Sequence, residues 1–93
     1  MKVSIIDIQL PAAEARLKPF DVPVLLDIDG DRTWFELHVD TEVLRDLPAE
    51  LISASPELRA VFHSDQRSLH QITHIVGRAL RQVPVHLPQR IAA

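Results

Sequence analysis

The chain contains no cysteine and only two glycines in 93 residues. Without cysteine there is no disulfide, no thiolate zinc site and no cysteine nucleophile, and the composition fits a reducing compartment, so a cytoplasmic location is expected. The two glycines, Gly30 and Gly77, stand far apart. That excludes the glycine-rich loop that cradles a phosphate, and no cofactor is expected. Aromatic residues are limited to Phe20, Trp34, Phe35 and Phe62, so the core has to be built from Leu, Ile and Val. No apolar run approaches the ~18 residues that span a bilayer. The first residues also lack the charged, apolar and small-residue succession of a secretory leader, so neither membrane association nor export is expected.

Carboxylates are missing from the last third of the chain. Asp65 is the final acidic residue, and the 28 positions after it hold four arginines and three histidines. Residues 1–65 carry all 13 acids against six Lys or Arg, a formal −7, while residues 66–93 are +4, which leaves the net −3. A split of this kind marks either a fold that pairs its own ends or a basic face kept for a partner.

A chain of 93 residues is one domain and buries only roughly 60–65% of its unfolded surface. Its 46% hydrophobic content places it among globular rather than disordered sequences. Residues 2–10 are rich in Val and Ile and predict a strand, with Ile6, Ile8 and Leu10 on one face and Val3, Ile5 and Asp7 on the other. Pro11 stops it and opens a short helical turn through Ala15 and Leu17. Residues 22–28 place Val22, Val24, Leu26 and Ile28 on one face, and Pro23 argues for an edge strand or a strand that begins after it. Asp29-Gly30 is a strong hairpin signal, because both positions accept positive φ. The return strand, 33–39, turns Phe35, Leu37 and Val39 inward and Trp34, Glu36 and His38 outward.

Asp40 or Thr41 then reads as the cap of a short helix carrying Val43, Leu44 and Leu47, broken by Pro48, with a second turn over 49–53. Ser55-Pro56-Glu57 starts a further helix, carrying Leu58, Val61 and Phe62. After a break near Ser64 and Asp65 the longest helix runs over about 65–83, with Leu69, Ile72, Val76, Ala79, Leu80 and Val83 on one stripe. Pro84 and Pro88 bracket an extended tail, 84–93, outside the domain proper at 1–83. Strands followed by helices predict an α+β fold: a hairpin-centred antiparallel sheet of about three strands packed by C-terminal helices.

Several motifs bear on chemistry. Residues 24–30 end in Asp27-Ile28-Asp29-Gly30, which resembles the opening D-x-D-G of haloacid-dehalogenase-like phosphatases. That family also needs a downstream lysine and a later acidic pair, whereas both lysines here, Lys2 and Lys18, lie upstream. The spacing Asp27, Asp29, Asp31 resembles a calcium loop, yet positions six and twelve hold Arg32 and His38 instead of Gly and Glu. The hairpin turn is the stronger reading of both. Ser, His and Asp occur without a nucleophile elbow, so no catalytic residue is assigned and no enzyme is expected. His70 and His74, spaced i and i+4, can reach one metal ion, but His63 joins their face only if the helix is unbroken from 56, and no metal site is assigned. The same helix face carries Arg67, Arg78 and Arg81. At ~100° per residue, Arg67, His70, His74, Arg78 and Arg81 cluster opposite Ile72, Val76 and Val83. They form either the solvated side of the helix or a basic strip for a partner.

The Asp29-Gly30 hairpin, then Val39-Asp40-Thr41-Glu42-Val43-Leu44, then Phe62 with Arg67 and Ile72-x-x-Ile75, is similar to a family of small uncharacterised bacterial domains. That family has a D-G hairpin, an S-x-E-A-L helix start and an F-x-x-x-R-x-x-I helix. The likeness covers about residues 20–80, with Thr41 in place of Ser, Val43 in place of Ala, and Phe62 and Arg67 five apart. It implies an α+β layout and a bacterial origin and carries no activity.

Together these readings point to a small non-enzymatic interaction or regulatory module, expected to self-associate as a homodimer. Its partner-binding residues are Arg67, His70, His74, Arg78 and Arg81, facing an acidic protein surface or another copy of the chain. The alternative is a nucleic-acid-binding regulator using the same helix face. The acidic net charge and the absence of lysine and of interleaved aromatics on that face weigh against it.

Overall fold

The computed structural model describes residues 1–12, 19–44 and 47–91, and for 41–44 and 47–51 the backbone alone. The elements are β1 (Val3–Ile8), β2 (Phe20–Ile28), β3 (Asp31–Leu44), β4 (Leu47–Ala54), α1 (Pro56–Val61), α2 (Gln66–Leu80) and β5 (Gln89–Ile91). The strands form one antiparallel sheet in the order β4-β3-β2-β1-β5. The α+β class holds, with five strands instead of about three. The helical turn expected through Ala15 and Leu17 lies outside the described residues.

The hairpin forms as its dipeptide dictates. Asp29 and Gly30 take φ of 52° and 94°, and Ile28 pairs with Asp31 across the two-residue turn. From there β2 and β3 zip without a break to Phe20 and Val39, which holds Val22, Val24, Leu26, Leu37 and Val39 on the core face. The expectation that Pro23 marks an edge does not hold, since β2 lies between β1 and β3. The Pro23 carbonyl accepts from Gln9 N at 2.9 Å, and the N and C=O of one strand residue point to the same side. The N–H that Pro23 lacks therefore belongs to the β1 ladder, which ends one residue earlier at Ile8. Proline here terminates the neighbouring strand rather than its own.

β1 keeps Val3 and Ile5 in the core, but its alternation breaks at a bulge. Ile5 pairs with Leu26 and Asp7 with Leu25, so Ile6 is the extra residue and Ile8 returns to the core face opposite Val24. The expected grouping of Ile6 with Ile8 is thereby undone.

Of the helix expected at 40–47, the described residues 40–44 and 47 are strand, and so is the turn expected at 49–53. β3 runs 14 residues, and β4 pairs with it from Ala54 opposite Leu37 to Leu47 opposite Leu44. Val39, Thr41 and Val43 continue the two-residue period of 33–39 with β-branched residues, while a helix of two turns has too little length to stand on its cap. Pro48 is tolerated because β4 is an edge strand.

α1 follows its signals: the Ser55 side chain accepts from Leu58 N and Pro56 opens the helix. Leu58 and Phe62 are buried, whereas Val61 is exposed. α2 begins on Asp65, whose carboxylate accepts from Ser68 N at 3.1 Å and Ser68 Oγ at 2.6 Å. It ends at Leu80, three residues short of Val83. Gln82 turns left-handed at φ 61°, and Gln82 N and Val83 N bond back to the carbonyls of Ala79 and Arg78. That paired closure is a Schellman stop, and it leaves Val83 exposed rather than in the core. The residues expected as an outlying tail fold back, with Val85 packed against the core, β5 paired to β1 and Ile91 buried.

The core joins Val3, Ile5, Val22, Val24, Leu26, Leu37 and Val39 of the sheet to Leu58, Phe62, Leu69, Ile72, Ile75, Val76 and Leu80 of the helical half. Each fully buried side chain of this size contributes about 1.5–3 kcal/mol. α2 packs on both edge strands, β4 and β5, so the sheet curls around one side of the helix.

Candidate functional site

Burial of Leu69, Ile72, Ile75, Val76 and Leu80 fixes the rotation of α2 about its axis. The opposite side then carries Arg67, His70, His74, Arg78 and Arg81, and all five are exposed. No acid lies in the first turn of α2, and Arg78 sits in its last turn, where a cation suits the negative end of the helix dipole. Among the described residues the ion pairs are Arg32–Asp27 and His38–Asp21, so none of the five is neutralised by a described carboxylate.

The strip divides into two parts. His70, His74 and Arg78 line a hollow of about 340 Å³ together with Gln71, Ile75 and Gln89. Ile75, Arg78 and Gln89 also line an adjoining hollow of about 410 Å³, which brings in Val85, His86 and Arg90. The two make one groove between α2 and the segment leading into β5, with Arg78 at their junction. Arg81 leans the other way, its guanidinium nitrogens 3.9 and 4.0 Å from where a Cβ at Gly77 would stand, on the side of Ile52 of β4. Arg67 lines neither hollow. His86, Gln89 and Arg90 were not singled out by the sequence, because their place in the groove depends on β5 folding back. The proline-bracketed Val85 and Ile91 were the available signal for that return.

The aspartates of the D-x-D-G stretch serve the turn. Asp27 accepts from Gly30 N at 2.9 Å and from Arg32 Nε at 3.4 Å, and Asp29 accepts from Lys2 N at 2.7 Å. Asp21, His38 and Ser53 lie in one row across β2, β3 and β4, an acid–imidazole–hydroxyl order that the sequence did not reveal. The His38 ring meets Asp21 at Nδ1, but among the described residues no hydrogen bond joins His38 to Ser53. All three are exposed, and the contact between Asp21 and His38 ties β2 to β3. Among the described residues no three histidines or acids gather as metal ligands, and His70 and His74 stand without a third. No helix of the described residues is long and apolar enough to cross a membrane.

Comparison of the chain with family models, curated proteins and solved structures gave no match. The likeness to small bacterial domains therefore rests on its residues alone.

Proposed function

We propose that this chain is a non-enzymatic, cytoplasmic interaction module that binds carboxylate-bearing protein surfaces, including its own, through the outer face of α2. The observation that carries this reading is the exposure of Arg67, His70, His74, Arg78 and Arg81 on one helix face with no described carboxylate paired to them. Arginine forks take carboxylates in pairs of parallel hydrogen bonds, and the groove beside Arg78 gives an acidic segment a place to lie. The net charge of −3 opposes approach to duplex DNA at long range, while the local strip still attracts an acidic patch.

The test is binding of labelled poly-L-glutamate by the wild type and by Arg78→Glu/Arg81→Glu. Wild-type binding should weaken with salt, and the double variant should bind at least about tenfold less well while its far-ultraviolet circular dichroism is unchanged, since exposed charges contribute only about 0–1 kcal/mol each to stability. Tight duplex-DNA binding that falls steeply with salt and is lost in the same variant would favour the nucleic-acid regulator instead.

A further inference from the structure

We propose that the outer face of the sheet, centred on Trp34, is the docking surface for the α2 arginine–histidine face of a second copy of this chain. The inference rests on the carboxylate-binding reading above and names its partner. Strand alternation places Asp7, Leu25, Trp34 and Glu36 on the side of the sheet away from the core. Asp7 pairs with Leu25, Leu25 pairs with Trp34, and Glu36 follows Trp34 at the next position on that face. Trp34 is 46% exposed and Leu25 half-buried, so the patch has an apolar centre bordered by the exposed carboxylates of Asp7 and Glu36, with the Asp27–Arg32 ion pair at the next position of the same face. Neither Asp7 nor Glu36 joins an ion pair among the described residues.

An indole beside carboxylates is the chemical complement of a row of arginines. The guanidinium plane stacks on the ring while its N–H groups reach the acids, and Trp and Arg dominate the centres of protein interfaces. Arg67, Arg78 and Arg81, with His70 and His74 between the first two, run along about 21 Å of α2 and its C-cap.

The two complementary faces belong to opposite sides of one molecule. Ile72 and Val76 share the core with Leu26 and Leu37, so α2 covers the inner face of the sheet, and its charged side and Trp34 point away from each other. A contact between them is heterologous. It leaves a free helix face at one end and a free sheet face at the other, and copies add head to tail instead of closing as a two-fold pair.

The mass of the full chain is measured by sedimentation over a hundredfold dilution series at low salt, with Trp34 emission as the second readout. Wild type should grow past twice the 10.5 kDa chain mass as concentration rises, with a blue shift of its single tryptophan, and both should reverse in high salt. Arg78→Ala/Arg81→Ala has no working helix face and Trp34→Ala/Glu36→Lys has no working sheet face, so each alone should be monomeric. Mixed, they should form a one-to-one pair and nothing larger, because the faces left over are the disabled ones. Circular dichroism establishes that both variants are folded, and Glu36→Lys alone, at an exposed position, serves as sheet-face variant if Trp34→Ala is not. A pair variant that still self-associates alone, or a mixture that stays monomeric, overturns the head-to-tail contact. Wild type that remains monomeric while binding poly-L-glutamate overturns the self-docking and leaves the carboxylate-binding reading standing; wild type that does neither overturns both.

Discussion

Gly77 in α2 and Gln82 just beyond its end occupy each other's natural places. Gly77 sits inside the helix, where glycine costs about 1 kcal/mol relative to alanine. Neither a close backbone nor a kink calls for it: α2 runs unbroken through Gly77, and the nearest neighbour is the Ile52 side chain, 3.4 Å from where a Cβ would stand. Gly77→Ala should therefore gain up to about 1 kcal/mol in urea unfolding. Gly77→Leu should destabilise, because the longer side chain has to displace Ile52 and lift α2 from β4. Gln82, by contrast, holds the left-handed position that glycine takes without strain. Gln82→Gly should raise stability by about 1 kcal/mol; a loss of stability would show that the Gln82 side chain contributes more than its backbone costs. Asp65 is the third residue that acts alone at this scale. The hydroxyl of Ser68, and then its amide, hold the Asp65 carboxylate below the ordinary aspartate pKa. The cap's stabilisation is complete above the ordinary value and is lost as pH falls through the lowered one. The difference in melting temperature between wild type and Asp65→Ala should shrink across that acid window, and a difference that does not change with pH would assign the effect to something other than the carboxylate.

Elements were legible where local chemistry and the two- or three-to-four-residue period agreed. The Asp29-Gly30 hairpin and the Ser55-Pro56-Glu57 start formed as read, and of the expected stripe Leu69, Ile72, Val76 and Leu80 are buried, joined by Ile75 while Ala79 is half-buried. The failures came where a local signal met a tertiary demand. Asp40 and Thr41 can cap a helix, but β4 pairs with the backbone of this segment and keeps it extended. Ile6 hid a bulge, which no period reveals, and Gln89–Ile91 became a strand only because β1 offers its free edge. The candidate face followed the same rule: its three arginines and two histidines were readable from the wheel, whereas His86, Gln89 and Arg90 required the return of the chain. β5 contributes little ladder but closes the core through Ile91, which is 5% exposed. Ile91→Ala should cost about 2–4 kcal/mol in chemical denaturation, and a loss below about 0.5 kcal/mol would show that the sheet is complete without its fifth strand.

At the scale of the molecule, one cluster joins sheet and helices, with Leu37 and Ile72 both fully buried in it. A single core of this size unfolds as one unit. Far-ultraviolet circular dichroism, dominated by the helices, and the emission of Trp34 on β3 should give the same midpoint. Ile72→Ala should shift both together by about 2–5 kcal/mol. Midpoints that separate would mean that α2 leaves a sheet still standing.

The bulge in β1 has a bearing on how this strand tolerates changes of length. Residues 3, 5 and 8 face inward and residues 4 and 7 outward, so removing Ile6 leaves a strand whose remaining side chains alternate perfectly in their present directions. Removing Ser4 instead would slide the residues before it by one and turn Val3 to solvent. Ile6 is in that sense a spare link, the one residue of the strand whose deletion re-aims none of the others.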